Sequence, residues 1–289
     1  MDVALATSAA LPQLHHDDRI LLELLQSEGV DARAVVWDDP KVDWASCRLC
    51  VVRSVWDYVW KAGEFIAWAD HVDSVSTLRN SARVIRWNAN KRYLGDLIAR
   101  GVNTVPGKWF QKGARSDLEA LMDAECWDEV VIKPAIASTG YGLMRVDRTM
   151  AVEGQQHVAR LAEEGDYVIQ VFLKEVLETG ELSVVFIDGE YTHAVRKRGA
   201  DGEIKVHEEF GGTDELADPT ESEMELSRRA VAAVSEQTLY ARVDLLSRGD
   251  ERFVSELEVI EPELFLRHCD AAARLLADRI VKCVGGQVV

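Results

Sequence analysis

The stretch Arg242-Val-Asp-Leu-Leu246, followed further along by Glu256-Leu-Glu258, decides most of what this chain can be. Both segments are typical of β-strands, and the residues Ser-Arg-Gly-Asp-Glu between them are typical of a hairpin turn. Because side chains alternate faces along a strand, the two glutamates share one face, and Asp244 on the paired strand can face them. A solvated strand in an acidic protein is the alternative interpretation.

Three carboxylates on one face repel one another unless a cation lies between them. Oxygen ligands suit Mg²⁺, which proteins usually hold with one or two carboxylates and substrate phosphates. The hairpin therefore predicts a magnesium site with Asp244, Glu256 and Glu258 as ligands. Arg242 lies on the face of Asp244, where its guanidinium can donate to a phosphate.

The composition bounds the classes of partner. The chain has 289 residues, enough for two domains, and 47% of them are hydrophobic, which supports a substantial core. Its formal charge of -17 repels a nucleic-acid backbone, and no basic stretch with interleaved aromatics offsets that repulsion. We therefore expect no nucleic-acid partner, and any nucleotide site must be locally positive.

The sequence predicts no membrane association and a reducing compartment. No apolar run approaches the roughly 20 residues of a membrane helix, and the first residues lack the basic flank of a signal peptide. The five scattered cysteines are typical of reduced thiols, so we expect a cytoplasmic protein. Cys47 and Cys50 have redox-motif spacing, but their strand context favours core packing. A homo-oligomer is compatible with the sequence, which singles out no interface.

Strands alternate with helices in the first part of the chain, which predicts parallel βαβ units. The predicted strands are Val3–Ala6, Ala32–Trp37 and Leu49–Arg53. Ligands of such sheets bind beyond the carboxyl ends of the strands. This rule places four polar residues near a pocket as candidates for substrate contact: Thr7, Ser8, Arg53 and Ser54.

A small-residue loop between two strands indicates phosphate binding. The strand Glu129–Lys133 is followed by Ser138-Thr-Gly-Tyr-Gly142 and a strand from Leu143 to Val146. Small residues let backbone N–H groups approach phosphate oxygens closely, and Lys133 can add a positive charge. The loop matches neither the G-x-x-x-x-G-K-[ST] nor the G-x-G-x-x-G pattern, so a plain hairpin stays an alternative.

The rest of the chain predicts an α+β unit with an antiparallel sheet. Tyr167–Lys174 is typical of a strand whose end can pair with an adenine edge, with Ile169, Phe172 and Leu173 packing on the ring. Glu181 opens the next strand, where its carboxylate can accept from ribose hydroxyls. Helices are predicted at 221–236 and 269–284.

Taken in order, these features resemble the ATP-grasp superfamily, and the resemblance covers essentially the whole chain. It implies a mixed α/β and α+β fold in which a Rossmann-like N-terminal domain precedes two α+β lobes that clamp ATP. We expect the Rossmann-like domain at residues 1–88, a small lobe with the glycine-rich flap at 89–165, and a C-terminal lobe with the adenine and magnesium sites at 166–289.

The resemblance assigns roles to individual residues. Lys91 and Lys133 would hold the α- and β-phosphates of ATP, and Arg242 would lie near the γ-phosphate. The metal ligands would bind two Mg²⁺, although many relatives have Asn where this chain has Glu258. The remaining contacts implied are the flap residues Ser138, Thr139, Gly140 and Gly142, the adenine-binding Gln170, Phe172 and Leu173, and the ribose-binding Glu181.

Four motifs look like a subgroup of the superfamily that contains a D-cycloserine-forming ligase, which closes O-ureido-D-serine on itself. This likeness implies ring closure in antibiotic biosynthesis as the most specific function. The motifs are Trp37-Asp-Asp-Pro40, Val52-Arg-Ser-Val-Trp-Asp-Tyr58, Trp87-Asn-x-Asn-Lys-Arg-Tyr93 and Glu256-Leu-Glu-Val-Ile-Glu-Pro-Glu-Leu-Phe265.

The implied reaction has two steps, an attack of a substrate carboxylate on the γ-phosphate and an attack of an amine on the resulting acylphosphate. The second step needs a cation for the substrate carboxylate, with Lys197 favoured over Arg53 and Arg198, and an anion for the amine, Glu261 or Asp57. The alternatives are an intermolecular amino-acid or peptide ligase, a small-molecule kinase and a non-catalytic nucleotide-binding module.

Histidines give two further hypotheses. His193 can act as a base, but a lone histidine is more often packed or solvated. His15-His16-Asp17-Asp18 has the residue types of a metal cluster. Adjacent side chains at a helix start are expected to diverge, so we favour helix capping by Asp17.

Overall fold

The computed structural model describes residues 1–138, 140–200 and 211–285, which fold around three β-sheets. The strands are β1 (Val3–Thr7), β2 (Ala32–Val36), β3 (Leu49–Val52), β4 (Thr77–Arg79), β5 (Gly107–Phe110), β6 (Glu129–Pro134), β7 (Met144–Asp147), β8 (Tyr167–Val171), β9 (Glu181–Ile187), β10 (Glu190–Arg198), β11 (Thr213–Ala217), β12 (Tyr240–Arg248) and β13 (Glu251–Glu258).

The α-helices are α1 (His16–Ser27), α2 (Ala62–Val75), α3 (Ala82–Asn88), α4 (Tyr93–Ala99), α5 (Leu118–Ala124), α6 (Ala151–Glu164), α7 (Val176–Thr179), α8 (Glu221–Ala232) and α9 (Asp270–Gly285). Short 3₁₀ helices lie at Trp44–Ser46, Trp56–Trp60, Arg148–Met150 and Leu266–His268. No helix of the described ranges is long and apolar enough to cross a membrane.

The strands of the first sheet are parallel, as the alternation of strands and helices predicts, and their order is β2-β1-β3-β4. Successive side chains of β1 enter two different cores because they point to opposite faces. Val3 and Leu5 pack in a core with residues of α1 and α9, whereas Ala4 and Ala6 pack in a core with residues of α2. The sheet is therefore covered on both faces, which is the rule for parallel sheets.

Two helix starts follow side chains that accept from the backbone. Helix α4 begins at Tyr93 after a turn in which the Asn90 carboxamide oxygen accepts from the Arg92 N–H at 3.0 Å. Helix α5 has Asp117 as its N-cap, whose carboxylate accepts from the Ala120 N–H at 3.0 Å. In both places a side chain that accepts from the backbone decides where the helix begins.

The small-lobe sheet is antiparallel, with strand order β5-β8-β6-β7, and packs on α5 and α6. The sequence analysis placed β8 in the C-terminal lobe, but β8 pairs with both β5 and β6. The adenine-side strand therefore shares a sheet with Lys133 of β6. Because β8 belongs to the sheet of the small lobe, we propose that this lobe extends past residue 165 to the end of β8 at Val171.

The C-terminal sheet is antiparallel, with strand order β11-β10-β9-β12-β13 and helix α8 packed against it. The predicted hairpin is confirmed as β12 and β13. In its register Arg242 lies opposite Glu258 and Asp244 lies opposite Glu256, with a bulge directly after Asp244. Leu257 is fully buried between the two glutamates, as the strand alternation predicts.

The chain leaves β13 in an irregular buried stretch, residues 259–264, which we call the clamped segment. Without a neighbouring strand, each of its carbonyl oxygens needs a hydrogen-bond donor from elsewhere. A different side chain supplies each one: Asn80 for Val259, Tyr240 for Ile260, Trp56 for Glu261, Arg53 for Pro262, Arg242 for Glu263 and His193 for Leu264.

Candidate active site

A cavity of about 260 Å³ lies between the small-lobe sheet and the C-terminal sheet, next to the 3₁₀ helix Trp56–Trp60, and it collects most of the residues that the sequence singled out. Among the predicted site residues, the described lining includes both lysines, the flap, the adenine strand and the hairpin carboxylates: Lys91, Lys133, Ser138, Gly140, Gln170, Phe172, Leu173, Glu181, Lys197, Arg242, Asp244, Glu256 and Glu258. Thr139 lies outside the described residues.

Two lysines from the first half of the chain meet a hairpin carboxylate. Lys133 Nζ is 2.8 Å from Glu256 Oε1, and Lys91 Nζ is 3.3 Å from Glu256 Oε2. Lys91 also donates to the Ala137 carbonyl oxygen at 3.1 Å, next to the flap. Burial opposes ionisation of Glu256, but the two lysines outweigh it and lower its pKa to about 2. The cavity thus holds two cations next to a fully ionised carboxylate.

Arg242 is more fully engaged than the sequence suggested. Its Nε and Nη2 donate to both oxygens of Asp244 at 2.9 and 2.8 Å, and Nη2 also donates to Glu258 at 2.5 Å. Its Nη1 donates to the Glu263 carbonyl oxygen at 3.0 Å. This fork therefore fixes the spacing of two predicted metal ligands, and its bonds to protein groups leave it less free to bind a phosphate than the sequence suggests.

Lys197 lies between the predicted ribose and metal carboxylates. Its Nζ is 2.7 Å from Glu181 Oε2 and 3.5 Å from Asp244 Oδ1. Burial opposes its charge, but Asp244 and Glu181 raise the pKa of Lys197 above its usual value. Ser183 donates to Asp244 at 2.5 Å, and Ser255 donates to Glu181 at 2.7 Å. The two carboxylates are therefore held in one charged network.

The hairpin carboxylates differ in their ionisation. Burial opposes ionisation of Asp244, yet Arg242 and Lys197 hold its pKa well below the usual range. Burial raises the pKa of Glu258 to about 7, with Arg242 opposing and Asp244 and Glu256 adding to the rise. Glu258 is therefore only partly ionised near pH 7.

The donor set has the chemistry of a hard-cation site, because three carboxylates of one hairpin line the cavity. Each is already paired with a lysine or arginine, and in this structure no choice of one oxygen from each brings all three within 4.8 Å of one another. Glu256 and Glu258 share a face of β13 while Asp244 approaches from β12. No described sulfur or imidazole ligand intervenes between these three, which favours Mg²⁺ over a softer metal.

The part of the cavity where the sequence predicts adenine binding is formed by the end of β8 and the residues after it. Gln170 is buried and donates to the Val105 carbonyl oxygen, and the Phe172 N–H donates to Glu129 within the sheet. The Arg145 guanidinium lies 4.1 Å from the Phe172 ring centroid, and Leu173 is buried at the turn that follows. These contacts leave an apolar slot that suits a planar ring.

The flap reaches across to the N-terminal domain. Ser138 donates to the Trp56 carbonyl oxygen at 3.0 Å, and the Tyr141 ring packs edge-on against Trp60 at 4.1 Å between centroids. Gly140 and Gly142 both have positive φ, at 68° and 67°, which L side chains rarely adopt. The loop between β6 and β7 is thus a bridge over the cavity rather than a plain hairpin turn.

Gly180 packs so closely against the backbone of Lys197 that only a residue without a side chain fits there. Gly180 has φ of 72°, and a Cβ there would lie 2.2 Å from the Lys197 carbonyl oxygen. We expect Gly180→Ala to shift Glu181 and Lys197 and to lower kcat/KM on the order of 10²-fold, the usual cost of displacing a site by about 1 Å. Steady-state ADP release measures this effect.

Gly189→Ala is the matched control, because Gly189 also has a positive φ of 79° but no atom within 4 Å of its Cβ position. Both variants are strained by the left-handed backbone conformation. Only Gly180→Ala adds the clash, so equal kcat/KM values for the two variants would contradict the proposed steric reason.

Arg53, predicted to contact the substrate carboxylate, does not line the cavity. It is 1% exposed, its Nε donates to Asp18 at 2.8 Å, and its Nη2 donates to the Pro262 carbonyl oxygen at 2.6 Å. Thr7, Ser8 and Ser54 are also buried away from the cavity. The edge of the parallel sheet is covered by the clamped segment, so these polar groups bind protein instead of ligand.

Of the other charged residues that the sequence suggests for substrate binding, some line the cavity and some do not. Arg198 is exposed and pairs with Glu215, and Asp57 accepts from the Trp37 indole N–H, so neither faces the cavity. Glu261 does line the cavity. Burial raises the pKa of Glu261 to about 8, with a further rise from nearby Glu258.

His193 is a packed residue, not a base in the cavity. Its Nε2 lies 3.0 Å from the Leu264 carbonyl oxygen, so this nitrogen carries the proton and donates. Burial lowers the pKa of His193. It holds the clamped segment in place, in agreement with the structural alternative.

The histidine pair at the start of α1 differs from the prediction. The rings of His15 and His16 do not diverge but lie 4.0 Å apart, and their nitrogens and a Glu263 oxygen lie within 4.8 Å of one another. Asp17 does not cap its own helix; it accepts from the Leu266 and Arg267 N–H groups. Arg267 already pairs with Glu263 as a competing cation, so we assign this cluster no ligand.

Sequence reasoning missed three aromatic residues of the site. Trp56 and Tyr58 line the cavity from the 3₁₀ helix of the N-terminal domain, and Tyr93 lines it from α4. The Tyr93 hydroxyl accepts from the Leu257 N–H at 2.9 Å, and Leu257 lies between the two predicted metal ligands Glu256 and Glu258. Trp56, Tyr58 and Tyr93 occur in the quoted motifs, but only the fold shows that they face the hairpin.

Comparison with known families agrees with this geometry. One family model, the N-terminal domain of D-cycloserine synthetase DcsG, matches residues 3–80. A second, the ATP-grasp domain of prokaryotic glutathione synthetase, matches residues 113–263, which is more than half of the chain. The chain belongs to the ATP-grasp family. Its ATP-grasp fold accounts for the convergence of the lysines with the hairpin carboxylates.

Individual relatives support the same assignment. The cycloserine biosynthesis protein DcsG of Streptomyces lavendulae is 31% identical and covers 97% of this chain and 98% of its own. The crystal structure of D-cycloserine synthetase DcsG is similar with a TM-score of 0.88 at 30% identity, over 97% of this chain and 100% of that one.

A D-alanine–D-alanine ligase from Bacillus anthracis complexed with ATP shares the fold alone, with a TM-score of 0.70 at 15% identity over 99% and 98% of the two chains. The ATP-grasp enzyme described here is an ATP-dependent ligase, as the sequence predicts.

Proposed function

We propose that this ligase closes O-ureido-D-serine to D-cycloserine, releasing ADP and phosphate. The support is the similarity over nearly the full length to a cycloserine biosynthesis protein, together with the cavity between the small-lobe and C-terminal sheets. The cavity lining combines apolar residues at the end of β8 with charged residues of the hairpin, which suits a nucleotide followed by a small amino acid.

The observation that carries the proposal is the contact of Lys133 and Lys91 with Glu256, at 2.8 and 3.3 Å. The lysines come from the small-lobe side and the glutamate from the C-terminal hairpin. Two cations that line one cavity beside a carboxylate proposed to bind metal suit the negative charge of a triphosphate. We propose that these two lysines bind the α- and β-phosphates.

We propose Asp244, Glu256 and Glu258 as the ligands of Mg²⁺, which when bound would neutralise charge on the phosphate oxygens. Arg242 holds Asp244 and Glu258 at a fixed spacing through its forked hydrogen bonds. Lys197 ties Asp244 to Glu181, the proposed ribose ligand, so nucleotide and metal sites share one network. In this arrangement Lys197 positions other groups instead of binding the substrate carboxylate.

The chain's residues favour both chemical steps. In the first, a substrate carboxylate oxygen attacks the γ-phosphorus, and positive charge from Lys133 and Arg242 offsets the charge that develops. In the second, a nitrogen of the same substrate attacks the acyl carbon and phosphate leaves. The acylphosphate must be kept from water, and the flap contacts of Ser138 and Tyr141 with the N-terminal domain cover the cavity for that purpose.

The test is to incubate the protein with O-ureido-D-serine, ATP and Mg²⁺ and to measure ADP, phosphate and D-cycloserine. Equimolar formation of all three, dependent on Mg²⁺, is expected. Phosphate without a ring product would indicate an intermolecular ligase, for which a panel of amino acids with hydroxylamine traps the activated acyl group. A stable phosphorylated compound would indicate a kinase and would overturn the proposal.

We also infer that the enzyme works in the cytoplasm, where ATP is supplied and thiols stay reduced. All five cysteines lie in the described residues, and none forms a disulfide. Cys47 and Cys50 pack in the core of the N-terminal domain, and burial raises the pKa of both thiols, which suits a structural role.

A further inference from the structure

We propose that Glu261 is the anchor for a substrate ammonium group, so that this site selects α-amino carboxylates. The inference rests on the proposed ligase function and names the chemistry that the substrate end of the cavity recognises. Three observations carry it: the isolation of the Glu261 carboxylate, the way the backbone holds it, and the aromatic residues next to it.

Within the described residues, the Glu261 carboxyl group forms no ion pair, although the cavity is rich in cations. It is 9% exposed and lines the cavity. The neighbouring cations are bound to other groups: Lys91 to Glu256, and Arg242 to Asp244 and Glu258. Within the described residues, no group outside Glu261 itself donates a hydrogen bond to this carboxylate or pairs with it. Burial raises the pKa of this carboxyl group to about 8, so near neutral pH it is largely protonated without a ligand, and a cationic ligand would supply the counter-charge that keeps it ionised.

Hydrogen bonds from buried side chains hold the backbone that carries the Glu261 side chain. Glu261 lies in the clamped segment, where buried side chains bind the carbonyl oxygens of successive residues. Trp56 binds that of Glu261 at 3.1 Å, Arg53 that of Pro262 at 2.6 Å and Arg242 that of Glu263 at 3.0 Å. Binding groups that are held in place before the ligand arrives lose less entropy on binding. The segment thus holds the Glu261 carboxyl group at the cavity before a ligand arrives.

The surroundings of Glu261 suit an ammonium ion. Trp56 and Tyr58 line the cavity beside it, and aromatic rings attract cations through their faces. Glu261 is three residues from Glu258, so a group bound by it lies within roughly 10 Å of the predicted metal site by chain reach. An ammonium on the carbon next to the reacting carboxylate meets that limit, and we therefore take an α-amino carboxylate as the proposed ligand.

The test compares two ligands that differ in one group: O-ureido-D-serine and 3-(ureidooxy)propionate, which lacks the α-amino group. Binding of each is measured by calorimetry in the presence of a non-hydrolysable ATP analogue and Mg²⁺. The wild-type protein is expected to bind the amino ligand about 10- to 10²-fold more tightly, the value of a hydrogen bond between charged groups. Glu261→Gln is expected to remove that difference while the affinity for the des-amino ligand changes less than about twofold.

Glu251→Gln is the matched control, since Glu251 begins the same strand but is exposed at the turn and pairs with Arg248. It is expected to keep the wild-type preference. Affinity for the ATP analogue is measured alone in every variant, and it is expected to stay unchanged.

The outcomes separate the inference from the proposed function. Retention of the amino preference in Glu261→Gln, or no preference in the wild-type protein, overturns the anchor. A shift in Mg²⁺ dependence without a change in amino preference also overturns it, because Glu261 would then act on the metal. Amino-selective binding without ring closure supports the anchor and contradicts the ring-closing function.

Discussion

Replacing Lys133 with methionine is expected to lower kcat about 10²- to 10³-fold while the protein remains folded. Lys133 Nζ is 2.8 Å from Glu256 and only 12% of its side chain is exposed, so its charge acts in a site that water screens weakly. Loss of one preorganised group that stabilises developing charge typically costs that factor in rate. Methionine keeps most of the side-chain length and removes the charge alone.

The measurement is ADP release at saturating ATP, with nucleotide affinity determined separately by calorimetry. Lys108→Met is the matched control, because Lys108 lies on β5 of the same sheet but pairs with Glu125 with 45% of its side chain exposed. Its kcat should match that of the wild-type protein. If Lys133→Met retained a kcat within about threefold of the wild-type value, the proposed phosphate role of Lys133 would be wrong.

Replacing Arg53 with methionine is expected to lower the free energy of unfolding by about 3–5 kcal/mol, the usual cost of breaking a buried ion pair by removing one partner. Asp18 would be left buried, with the Ser54 hydroxyl at 2.6 Å as a donor but without its cation. The Pro262 carbonyl oxygen would also lose its donor, at a further cost. Urea unfolding followed by tryptophan fluorescence measures the change.

Arg33→Met provides the comparison, since Arg33 also pairs with an aspartate, Asp31, at 2.8 Å but is 65% exposed in its side chain. We expect no measurable change in its unfolding midpoint, because water screens exposed ion pairs. Normal stability in Arg53→Met together with a large loss of activity would contradict the structural role and favour the substrate contact that the sequence suggested.

Local pattern was sufficient for the hairpin. The alternation in Glu256-Leu-Glu258 placed both glutamates on one face, and the structure pairs Asp244 with Glu256 across the hairpin. Strand alternation is a property of a few consecutive residues, so it can be inferred without knowing the fold. The same holds for the parallel order of the first sheet, which follows from the spacing of its strands and helices.

Local pattern was insufficient where residues far apart in the chain compete for the same place. Arg53 follows a parallel strand, the usual position for a ligand contact, but the clamped segment 259–264 covers it. β8 precedes the C-terminal strands in sequence, yet it pairs with β5 and β6. The burial of Arg53 and the pairing of β8 cannot be predicted from the residues next to them in the sequence. Both depend on which surfaces remain exposed once the sheets have packed.

The sequence by itself determined the chemistry: carboxylates at strand spacing, two lysines, a small-residue flap and their order along the chain. Only the tertiary structure decided which charges face the cavity, pairing Lys197 with Glu181, burying Arg53 on Asp18, and leaving Glu261 open to a ligand. The physical reason is that residue type fixes what a group can bind, whereas burial and long-range neighbours fix whether it is still free to do so.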